Sequence, residues 1–160
     1  MNAIRLMTCV VLLSSCAVAN AEGLDTLHWN DAAWVKDAGE RLARCAGTYR
    51  GAAEVMRRGG REQAAAYADA VGSGALFAAY VLLTSPAVFE AKVVLHEADA
   101  NVHIVALAWG SKRDFIAMDE QRDPTLPGLL RTCTQTSSLQ SSVLRGPTEI
   151  PTAAEADLAP

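Results

Sequence analysis

The sequence predicts an all-α protein: a small antiparallel bundle of about four helices, tied by one disulfide between Cys45 and Cys133. Three observations lead there. Apolar residues recur every three or four positions from Val35 to Met56, the period of a helix with one buried face. Two successive segments carry lines of small residues spaced four apart. Two cysteines remain in the body of a chain whose beginning has the layout of an export signal.

The first helix is expected to start at Asn30, whose side chain can accept a hydrogen bond from a free amide of the first turn. Trp29 and Trp34 fall at the two positions of a hydrophobic staple around that cap. Val35, Ala38, Leu42, Cys45, Tyr49, Ala52 and Met56 then share one face. Arg57 and Arg58 complement the negative end of the helix dipole, and Gly59-Gly60 ends the helix.

Gly39, Ala43, Gly47 and Gly51 form a second line on this helix. Glycine costs about 1 kcal/mol per helical position relative to alanine, so three of them on one line call for a packing reason. The next segment offers Ala66, Ala70, Gly74 and Ala78 at the same spacing. The expectation is an antiparallel hairpin whose small-residue ridges touch, with a second helix from Glu62 to Leu83. Tyr67, Val71, Leu76, Phe77, Tyr80 and Val81 supply bulk beside the ridge.

Ser85-Pro86 has the form of a cap and a first-turn proline, predicting a third helix from Pro86 to about His96. Residues 92–109 admit two readings. Val, Ile and Leu around Asp99-Ala100-Asn101 suit a hairpin. Val102, Val105, Trp109, Lys112 and Ile116 keep helical spacing, which favours a helix with a kink near residues 99–101. Asp123-Pro124 and Pro127-Gly128 interrupt it. A short helix from Pro127 to Thr134 brings Leu129, Leu130 and Cys133 to the core, and Ser137-Ser138 opens a last turn in which Leu139, Val143 and Leu144 pack.

The domain plan follows. Residues 1–21 read as a secretory signal: Arg5, the apolar run Leu6–Leu13, then Ala19-Asn20-Ala21 before Glu22. A competing site is Leu13-Ser14-Ser15-Cys16, which resembles the bacterial lipobox and makes 1–15 the signal and Cys16 an acylated first residue. The run is too short for a membrane span, which needs about 20 residues. No other run reads as one, the most apolar being Ala75–Leu83. Residues 22–146 form one helical domain, and 147–160 a flexible tail of proline, alanine and acid. These features place the protein in the periplasm or outside the cell, or on the outer membrane as a lipoprotein.

The chain carries 14 basic and 18 acidic side chains, a net charge of −4, which becomes −5 when Arg5 leaves with the signal. An acidic chain without a basic tail is unsuited to nucleic acid. An exported chain with two cysteines left usually oxidises them. Closing the loop between Cys45 and Cys133 removes unfolded-state entropy worth about 4–5 kcal/mol.

Reaction signatures are missing. There is no Gly-x-Ser-x-Gly, no Ser-x-x-Lys, no phosphate loop and no His-Glu-x-x-His. No cofactor and no enzyme activity are expected. His96, Asp99 and His103 share a face if their segment is helical, and are the weak metal candidates. His96 and His103 stand about 10.5 Å apart along a helix axis, long for two ligands of one ion. Six arginines lie between residues 41 and 61, three of them four residues after an acid, as in solvated helix pairs. Trp109 reads as core, or as an exposed indole that with Lys112 and Arg113 anchors a partner. The leading expectation is a non-enzymatic binding or inhibitor module meeting another envelope protein. The alternatives are a periplasmic metal-binding protein using His96, Asp99 and His103, and a structural lipoprotein anchored at Cys16.

Overall fold

Asp31, not Asn30, begins the first helix. Its Oδ1 accepts hydrogen bonds from the amides of Ala33 at 3.0 Å and Trp34 at 3.1 Å. A carboxylate serving two free amides at the positive end of a helix outdoes a neutral amide side chain there. Trp29 is therefore one residue too early for the staple. It packs with Trp34 against the edge of the core instead. In this computed structural model residues 28–85, 88 and 97–145 are described. They hold five helices: α1 (Ala32–Arg58), α2 (Glu62–Leu83), α3 (Glu97–Glu120), α4 (Leu126–Gln135) and α5 (Ser137–Arg145). No strand occurs among the described residues.

α1 ends as its glycines dictate. Gly60 has φ +71°, a backbone state that costs glycine nothing. The amides of Gly60 and Arg61 bond back to the carbonyls of Arg57 and Met56, each at 2.9 Å. This is a Schellman closure. It turns the chain into α2, whose limits match the sequence expectation. α3 ends by the same pair of bonds, with Arg122 at φ 54° in place of glycine.

Cross-helix contacts fix the directions. Gly39 approaches Leu83, Gly72 approaches Ala46, and Arg57 pairs with Asp69, so α2 runs antiparallel to α1. Glu40 meets His103, Gly47 meets Ala108, Glu54 meets Lys112 and Arg58 meets Glu120, so α3 runs parallel to α1. The three long helices go up, down and up. α4 is tied to α1 by the Cys45–Cys133 disulfide, with Cα atoms 5.3 Å apart. α5 closes the opposite side through Leu139 and Val143, which join Val35, Leu42, Leu82 and Ile104 in the main core.

Small residues do hold the bundle together, but with other partners than expected. Of the α2 line Ala66, Ala70, Gly74 and Ala78, Ala78 alone is buried in the core: Ala66 and Ala70 are exposed, and Gly74 faces Gln140 of α5. α2 turns Ala65, Ala68, Gly72, Ala75 and Ala79 inward. The α1 glycines divide between neighbours. Gly39 lies under Leu83, whereas Gly47 and Gly51 lie under Ala108, Lys112 and Phe115 of α3. The tightest approach thus joins the parallel pair, not the hairpin. Tyr67 and Phe77 do not add bulk to the core either; both are mostly exposed, and Leu144 is 43% exposed.

The segment from residue 97 is helical, the reading the spacing favoured, and Asp99-Ala100-Asn101, the turn of the alternative hairpin, lies inside α3. The helix expected over Pro86–His96 falls outside the described residues except for Val88, which is buried in the main core. The signal, Cys16 and the tail also lie outside them. α2 is the one helix among the described residues long and apolar enough to cross a membrane. Composition alone gives it that property, and its inward alanine face is occupied by α1.

Candidate functional site

α3 has two unlike faces. Its buried residues are Ala100, Ile104, Ala108 and Phe115. Ala108 is small where the backbone of α1 lies against it at Gly47. Three of the large apolar residues of α3 sit on another side. Val102 is 70% exposed, Val105 60% and Trp109 66%. Their spacing of three and four puts them on one stripe facing solvent. The preference for Trp109 as a core residue is therefore overturned. The helical period was legible, but the stripe it marks points outward.

Trp109 stands over a shallow cavity of about 130 Å³ between α2 and α3, lined by Arg50, Leu76, Val105, Ala108 and Lys112 beside it. Leu76 reaches in from α2 and Arg50 from α1. Lys112 Nζ lies 5.6 Å from the Trp109 ring centroid and 2.7 Å from Glu54 Oε2 on α1. The ammonium thus holds the indole in a cation–π contact while tied to a fixed carboxylate. Hydrogen bonds from Lys112 and Arg58 hold the Glu54 carboxyl below the ordinary glutamate value. Arg113 is one turn on, its nearest described carboxylate being Asp114 at 3.9 Å. Arg50 has no carboxylate within 4.0 Å among the described residues. The result is an indole and two aliphatic side chains edged by three cations, one of them neutralised by Glu54.

Arg50, Leu76 and Val105 were missed by sequence reasoning. The signal lay in α3 itself. A helix that places two alanines on one side and Val, Val, Trp on another has those three large side chains free whenever the alanine side is the packed one.

Among the described residues, Asp99 and His103 do not belong to a metal-holding group. His96 lies outside the described residues, and Asp99 is exposed. His103 Nε2 is 3.0 Å from Glu40 Oε1. Among the described residues no group of three or more His, Cys, Asp or Glu side chains is placed to hold a metal. Glu40 instead gathers Lys36 at 3.0 Å and Arg44 at 3.2 Å around the same carboxylate. Burial works to raise its pKa, but hydrogen bonds from Lys36 and His103 outweigh burial and hold it below the ordinary glutamate value. The folded protein therefore binds this proton more weakly than the unfolded chain does. Its stabilisation is present above the unfolded glutamate's titration and is lost as pH falls through the lower folded value. Glu40→Gln is expected to lower stability at neutral pH and to make the acid limb shallower, as measured by denaturant unfolding from neutral pH down to the acid transition.

The arginine strip forms the solvated helix pairs: Asp37 with Arg41, Glu40 with Arg44, Glu54 with Arg58. A second, larger cavity of about 680 Å³ opens where α4 leans over α1 and α3 beside the disulfide. Comparison with protein-family models, with curated proteins and with solved structures found no match for this chain.

Proposed function

We propose that this is an exported envelope protein that acts without catalysis, as a helical binding or inhibitor module docking a protein partner on the Trp109 face. One observation carries the reading. A tryptophan, the residue type most enriched at the energetic centres of interfaces, stands 66% exposed on a rigid helix with Val102 and Val105 in line. Leaving such a stripe in water has no folding rationale, because the buried side of α3 is already filled. The cations around it define the partner. Arg50, Lys112 and Arg113 favour an apolar anchor flanked by carboxylates, so the partner is a segment of that chemistry. The export part of the proposal rests on residues 1–21 and on an oxidised cysteine pair.

Fluorescence anisotropy with two synthetic peptides tests it. Both carry the same apolar anchor, one flanked by glutamate and one by lysine. Only the acidic peptide is expected to bind saturably, more weakly as salt rises. Trp109→Ala is expected to weaken it by about tenfold or more, equivalent to about 1.4 kcal/mol. Equal binding of both peptides, or binding indifferent to Trp109→Ala, contradicts the proposal. Capture from envelope extract on wild-type and Trp109→Ala chains in parallel then identifies the natural partner.

A further inference from the structure

The cavity beside the disulfide lies between α1, α3 and α4, away from the Trp109 face. It measures about 680 Å³, within the usual range of small-molecule sites. Its floor is apolar: Met118 from α3, Leu129 from α4 and the Cys45–Cys133 bridge. Leu126, Leu129 and Leu130 of α4 are only partly buried. The helix is held over the cleft by Cys133 at its far end, and its leucines do not fill the space beneath. Gly128 lines the cleft, and a β-carbon there meets no atom within 4 Å.

The rim is charged unevenly. Arg41 and Arg44, one turn apart, edge the cleft from α1, and Asp114 edges it from α3. Among the described residues both guanidiniums pair only with acids of their own helix, Asp37 and Glu40, and both side chains are about half exposed. Ion pairs of that kind contribute about 0–1 kcal/mol, so an incoming carboxylate can compete for the same donors. Arginine suits that exchange, since its planar fork can bind a carboxylate through two hydrogen bonds.

We propose that this cleft binds a single-chain amphiphile with an anionic head, of the fatty-acid type. The acyl chain lies over Met118, Leu129 and the disulfide, and the carboxylate meets Arg41 and Arg44. Gly128 is the opening that admits the chain.

Isothermal titration of the oxidised protein with monomeric dodecanoate tests this, with dodecanol and dodecyltrimethylammonium as head-group controls. Saturable dodecanoate binding is expected, with both controls weaker by about tenfold or more. An Arg41→Glu, Arg44→Glu double variant is expected to lose a similar factor. Gly128→Phe fills the cleft and is expected to abolish binding while raising the helix propensity of α4. Thr132→Trp blocks the same space from a second position, should the first variant fold poorly. Trp109→Ala is expected to leave dodecanoate binding unchanged, which separates this site from the docking face. Equal binding of all three amphiphiles overturns the head-group assignment. Absence of binding, or binding that survives both cleft-filling variants, overturns the site.

Discussion

Gly47→Ala is expected to destabilise the protein by about 3 kcal/mol, at the upper end of what overpacking costs. A β-carbon at Gly47 runs into the Ala108 carbonyl, and stands 2.8 Å from Ala108 C and 2.9 Å from Lys112 N. These are backbone atoms, which no rotamer change can move. Alanine gains about 1 kcal/mol of helix propensity, which does not offset the separation of α1 from α3. Two other glycines calibrate the result. At Gly39 the nearest atoms to the new carbon belong to the Leu83 side chain, at 2.6 Å from Cγ and 2.9 Å from Cδ2. Leu83 is buried and must repack, which side chains can do and backbone cannot, so the cost is expected to be smaller, about 1–2 kcal/mol. At Gly110 nothing lies within 4 Å, so Gly110→Ala is expected to stabilise by about 0.5–1 kcal/mol. Urea unfolding of the three variants reads all three values.

Replacing Cys45 and Cys133 together by alanine is expected to have the largest effect. The loop between them is 88 residues long. Releasing it returns unfolded-chain entropy worth about 4–5 kcal/mol, a large part of the 5–15 kcal/mol typical of a domain. The loss should be uneven. α1, α2 and α3 keep their shared packing, whereas α4 is bound to α1 chiefly through this bridge. Amide exchange is therefore expected to rise first in Leu126–Gln135. A variant that melts within 1 °C of the wild type would show that the bridge adds nothing to the fold.

The outline of the fold was legible in the chain. The Val35–Met56 periodicity, the Gly59-Gly60 stop, the Glu62–Leu83 limits and the cysteine pair each state a local rule with one solution. Neighbour choice was not legible. Gly47 and Gly51 announce that some backbone comes close, but nothing along α1 says whether α2 or α3 supplies it. The same ambiguity governed the site. Val102, Val105 and Trp109 keep the spacing of a buried stripe, and only the position of α1 against Ala108 shows that the stripe faces water. Arg50 and Leu76 join it from other helices, so no local pattern could connect them to Trp109. Asp31 took the cap from Asn30 for a simpler reason: two adjacent residues satisfied the same rule, and the charged one served two amides.

The docking face exists only if α3 packs Ala100, Ile104, Ala108 and Phe115 inward and turns Val102, Val105 and Trp109 to solvent. Denaturant unfolding of Trp109→Ala beside the wild type addresses that directly. An exposed indole predicts a change within about 0.5 kcal/mol. A loss of about 3–5 kcal/mol, as for a tryptophan removed from a core, would contradict it and return Trp109 to the interior.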